Sequence, residues 1–108
     1  MSALYRKNHG YLHILCHASP HQRQFLLNTA TPEQVHAICE VCYNLLRENI
    51  PSSSALRLRL GDFKHELIDL ANESVPFKEK KKILSQTGGG FIEDALMPLL
   101  SGLGMILL

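Results

Sequence analysis

The chain has 108 residues, 45% of them apolar and 19% charged, with a formal net charge of +1 at pH 7. That length allows one domain with a modest core, and the near-neutral balance excludes a protein that holds nucleic acid through its global field alone. With three Tyr, four Phe and no Trp, leucine must supply most of the packing, and no long polar tract marks disorder.

The first fifteen residues lack the long apolar run and small-residue site of a signal peptide. An intracellular, reducing setting is therefore expected, with Cys16, Cys39 and Cys42 as thiols. Leu4, Tyr11, Leu12, Ile14 and Leu15 form one apolar helical face within residues 1–18, which Gly10 weakens. Ser19-Pro20 reads as a helix start: Ser caps free amides, and Pro suits a first turn because it has no N–H to satisfy. A short helix through Phe25, Leu26 and Leu27 then ends near Asn28.

Thr31-Pro32-Glu33-Gln34 is the clearest local signal. Thr31 caps, Pro32 takes the first helical position, and Gln34 reaches back as the second member of a capping box. Val35, Ile38, Cys39, Cys42, Leu45 and Leu46 follow on one helical face, and Pro51 disfavours helix at Ile50. After the serines at 52–54, Leu56, Leu60, Phe63, Leu67 and Leu70 predict one helix to about Asn72, with Gly61 as a soft spot of ~1 kcal/mol. Ser74-Val75-Pro76 starts a last short helix from Phe77 to about Ser85. No strand pattern competes, so the expected fold is all-α: a small bundle of four to five helices with a Gly-linked apolar C-terminal helix. The expected division is a helical domain at 1–87, a glycine linker at 88–90 and an apolar amphipathic tail at 91–108.

That tail carries only two charges, Glu93 and Asp94. Phe91, Ile92, Ala95, Leu96, Leu99, Leu100, Leu103 and Leu107 fall near one face, which makes it a candidate membrane or partner face or, equally, a core helix. Eighteen helical residues span ~27 Å, but Pro98, Gly102 and Gly104 argue against a simple membrane span. Upstream, Lys78, Lys80, Lys81 and Lys82 offer a cationic patch for an anionic surface, whether polymer or lipid. Seven cations against five acids between Arg57 and Lys82 leave that region only modestly positive. A solvated helix face explains the lysines equally well.

Cys39-x-x-Cys42 places two sulfurs one helical turn apart, and Cys16 and His17 are further candidate metal ligands. The plainer reading makes both cysteines members of the apolar face already described. His9, His13, His17 and His21 recur every four residues, although Pro20 breaks the row. No nucleophile–base arrangement and no phosphate loop is visible, so neither enzyme activity nor a cofactor is expected. Gly88-Gly89-Gly90 reads first as a hinge, and second as a place where a protease can enclose bare backbone.

CEVCYNLL, ENIP, the leucine-spaced helix, KKKILSQTGGGF and the apolar LMPLLSGLG end together resemble small proteins of Polinton (Maverick) elements and related adenovirus-like viruses. The similarity spans roughly Phe25 to Leu108. It implies a minor virion or element protein made as a precursor. It also implies a cysteine maturation protease of adenovirus type acting at Gln86, Thr87, Gly88, Gly89 and Gly90, with cleavage between Gly89 and Gly90. The implied partners are a capsid protein or genomic DNA and that protease, with a membrane reached through the tail and a second copy of the chain as further candidates. The implied location is a virion interior, or the nucleus or cytoplasm of a host. This chain is less basic than such relatives, because Glu66, Asp69, Glu73 and Glu79 dilute its lysines. Two further expectations stand beside this one: a nucleic-acid-binding or packaging module whose tail is a core helix, and a zinc-binding helical module.

Overall fold

A computed structural model describes residues 3–47, 54–85 and 91–98, and these are all-helical. The chain winds around α4, Pro32–Leu46, the longest described helix at 15 residues. Its start follows from the Thr31 capping box. The Gln34 amide donates to Thr31 Oγ1 at 3.2 Å, and the Thr31 amide donates to Gln34 Oε1 at 2.9 Å. Val35, Ile38, Cys39, Cys42 and Leu45 are buried as their spacing predicts. Ala37 and Val41 are buried as well, so α4 is covered on more than one side, as a central helix must be. Leu46 instead remains exposed.

Before it come α1 (Ala3–Lys7), α2 (His9–His17) and α3 (Pro20–Asn28). The single N-terminal helix expected from sequence is divided at Asn8, whose φ of −101° and ψ of 11° leave the helical range, whereas Gly10 lies inside α2. Leu12 and Leu15 point into the core and Ile14 points out. Ser19 and Gln22 complete a second reciprocal capping box at the start of α3. Leu27 is buried there, while Phe25 is 65% exposed.

The helix expected over 54–72 is two: α5, Ser54–Gly61, and α6, Lys64–Ala71. Phe63 is the pivot. Its amide donates to the Leu60 carbonyl at 3.0 Å, and its own carbonyl accepts from Leu67 at 3.1 Å. The break falls at Asp62-Phe63, directly after Gly61, where helix is cheapest to interrupt. Leu60, Leu67 and Leu70 keep the predicted inward face on both sides of the break. Helix α6 packs along α4, and α7 (Phe77–Ser85) packs on α3, α4 and α6.

The last described element is a π-helical turn, Ile92–Leu96, in which the Met97 amide donates to the Ile92 carbonyl. Pro98 gives this wide turn a cause. In an α-helix its ring would strike the carbonyl four residues back and it would supply no amide; an opened turn relieves that clash. Phe91, Ile92, Leu96 and Met97 are buried in the same core as α4 and α6. The Phe91 ring lies 5.7 Å from that of Phe63, so the bend between α5 and α6 receives the start of the tail. No described helix is long and apolar enough to cross a membrane.

Candidate functional site

The site is the seat of residues 91–98, and Arg23 is its centre. Helix α2 ends at His17, leaving carbonyls at its C-terminus without intrahelical partners. Arg23 reaches back from α3 and supplies donors to three of these groups. Its Nε donates to the Leu15 carbonyl at 3.0 Å, and one terminal nitrogen donates to Ala18 at 2.8 Å and Cys16 at 3.3 Å. A cation at the negative end of a helix also opposes its dipole. The other terminal nitrogen donates to both carboxylate oxygens of Glu93, at 2.6 Å to Oε1. The Arg23 side chain is 8% exposed and that of Glu93 48%. A buried guanidinium thus ties α2, α3 and the tail together.

The neighbouring residue makes a matching tie. Gln24 Nε2 donates to the Ser85 carbonyl, at the C-terminus of α7, at 2.7 Å. Consecutive residues of α3 therefore hold the chain just before and just after Gln86–Gly90. The cleavage residues Gln86, Thr87, Gly88, Gly89 and Gly90 themselves lie outside the described residues.

Of the two expectations for the apolar tail, the described part takes the core one. Phe91, Ile92 and Leu96 are core residues, with Leu96 fully buried, so they present no open apolar surface while docked. The physical reason is that the bend at Phe63 and the Arg23–Glu93 pair give this short apolar stretch a better solvent than water. Ala95 lies within the π-helical turn, and Leu99, Leu100, Leu103 and Leu107 lie outside the described residues.

The cationic patch is also corrected. Lys78 and Lys82 share an exposed side of α7, and Lys81 joins them with its ammonium 5.8 Å from the Phe77 ring. Lys80 is 6% exposed, on the inner side with Leu84. Two residues of helix turn it through about 200° from Lys78, which removes it from any shared surface.

Cys39 and Cys42 are buried, and burial pushes the Cys39 thiol up to about 11 despite the opposing Lys80 charge. Burial, with the Cys39 charge next, pushes Cys42 up further. A metal would have to displace both thiol protons, and burial makes that costlier than for an exposed cysteine. Cys16 is half-buried; His17 is exposed and lies 4.4 Å from His13, ring to ring. Among the described residues no three His, Cys, Asp or Glu side chains are grouped to hold a metal ion. The expected metal set of Cys39, Cys42, Cys16 and His17 is thus not assembled in the described fold.

Arg23 is the side chain that sequence reasoning missed, and Lys80 is the one it placed on the wrong side of α7. A hint for Arg23 existed: it precedes buried Leu27 by four residues and so shares its helical side. Comparison with protein families, curated proteins and solved structures gives no significant match.

Proposed function

We propose that this chain is a non-enzymatic minor virion or mobile-element protein, made as a precursor in which the bundle stores its own apolar C-terminal segment. A maturation protease of adenovirus type cuts between Gly89 and Gly90. The segment from Gly90 onward is then held by non-covalent contacts alone. Its release or exposure lets it act on a membrane or on capsid.

The observation that carries this reading is the double tether on α3. Gln24 holds Ser85 and Arg23 holds Glu93, with Gln-Thr-Gly-Gly-Gly between them. A cut there leaves the bundle's helices covalently whole and turns the docked segment into a ligand of the bundle. The resemblance to Polinton and adenovirus-like precursors supplies the protease. Incubation of the full chain with such a protease, read by intact mass, is expected to give residues 1–89 and 90–108. A chain that stays whole under conditions that cleave a control substrate would overturn the reading.

The burial of Phe91, Ile92, Leu96 and Met97 favours a second reading, in which the tail is a permanent core element of a packaging module. That reading predicts salt-sensitive DNA retention through Lys78, Lys81 and Lys82. It also predicts that the two cleavage products co-elute.

A further inference from the structure

Helix α2 carries three of the chain's six histidines, His9, His13 and His17, at intervals of four residues. On a helix that interval keeps side chains on one side. His9 is partly covered and makes a contact of its own, whereas His13 and His17 are both exposed. Their ring centroids lie 4.4 Å apart, with the ring planes tilted by 57°. The surroundings are open: a Cβ added at Gly10, nearly one turn before His13, would meet nothing within 4 Å. Helix α2 itself contains no Lys, Arg, Asp or Glu to compete for the rings.

Imidazole is the commonest metal ligand among side chains, and two of them on consecutive helical turns can hold one ion. Metal–nitrogen bonds of about 2.0–2.1 Å, meeting between a right angle and a tetrahedral one, set ring centroids roughly 4.5–5.3 Å apart. From 4.4 Å, the two rings need to part by less than about 1 Å to share an ion. Being exposed, both can rotate to aim a nitrogen at it. Because one helix holds both, the second nitrogen meets the bound ion at high effective concentration, so the pair binds more tightly than a lone histidine. Imidazole nitrogen suits Zn2+, Ni2+ and Cu2+, whereas Mg2+ and Ca2+ select oxygen.

We propose that His13 and His17 chelate one late first-row divalent metal ion on the outer side of α2, with water completing its shell. The site uses neither the docked tail nor the cut at Gly89, and it is separate from buried Cys39 and Cys42.

The test is a titration of the full chain with zinc chloride near neutral pH, followed by NMR of the histidine ring resonances. The His13 and His17 rings should shift together with one saturable dissociation constant, while those of exposed His36 and His65 stay in place. Mg2+ at the same concentration should move none of them. His13→Ala and His17→Ala should each weaken Zn2+ binding at least about tenfold, because each leaves a single ligand. His9→Ala and Cys16→Ser should stay within a few-fold of the native chain. Absence of saturable shifts at His13 and His17, less than about twofold weakening by either alanine variant, or a loss on Cys16→Ser equal to that on His13→Ala would each overturn the proposal. The ring shifts are read on the native chain and decide the matter even if a variant fails to fold.

Discussion

Replacing Arg23 probes the tail's seat most sharply, because three variants should fall in a fixed order. Arg23→Met removes donors from the Leu15, Cys16 and Ala18 carbonyls and leaves Glu93 without its cation. Bonds to a charged group contribute about 1.5–3 kcal/mol each, but they are not additive and the 3.3 Å contact to Cys16 is weak. The charge left behind, Glu93, is half-exposed, so the cost lies mainly in the lost donors to the α2 terminus, and we expect a loss of ~3–4 kcal/mol. Glu93→Gln should cost only about 0.5–1 kcal/mol, since that carboxylate is half-exposed and screened. Arg23→Lys keeps the charge but not the planar fork, and should fall between, near ~2 kcal/mol. Urea unfolding followed by far-ultraviolet circular dichroism reads all three. At a slope of roughly 2 kcal/mol per molar urea, Arg23→Met should lower the midpoint by ~1.5–2 M. A Glu93→Gln cost equal to that of Arg23→Met, or an Arg23→Met variant within about 0.5 kcal/mol of the native chain, would refute this role for Arg23.

Leu96→Ala should cost about 3 kcal/mol in the uncut chain, because Leu96 is fully buried; a loss under about 0.5 kcal/mol would mean the segment is not seated there. Native protein treated with a thiol reagent at pH 7 should be modified first at half-buried Cys16, with Cys39 and Cys42 reacting only in denaturant; equal rates at all three would contradict their burial. Burial also raises the Tyr11 phenol from 10.0 to about 12, and its hydroxyl donates to the Leu26 carbonyl at 3.0 Å. The fold thus favours the protonated forms of Tyr11 and Cys39. Their effect on stability is constant below the ordinary thiol and phenol values, then stability falls as pH rises from about 9 toward about 12. Unfolding midpoints measured from pH 7 to 11.5 should decline over that window; a flat profile would count against it.

The helical fold was legible because its signals are local. Thr31 with Gln34 and Ser19 with Pro20 mark helix starts within four residues, and the Val35-to-Leu45 spacing gives the core side of α4 without knowledge of any partner. The break at Gly61 was visible only as a weak point, since the contact that exploits it, Phe63 on Phe91, joins distant parts of the chain. The helical side of Arg23 could be read but its ion pair could not: its carboxylate partner lies 70 residues away, and only the folded chain brings the two together. Lys80 was misjudged because four lysines in five positions look like one patch, while helical geometry splits them across two sides. The apolar tail could be read as a core helix or as a surface-active one. Hydrophobicity alone does not distinguish a segment that is sheltered from one that is free.

On the proposed function, the docked segment stays sheltered until the chain is cut. Dye release from anionic phospholipid vesicles tests it, comparing the full chain before and after treatment with an adenovirus-type protease. The intact chain should leave the vesicles sealed and the cut chain should empty them. Equal leakage from both, or sealed vesicles after complete cleavage, would contradict it.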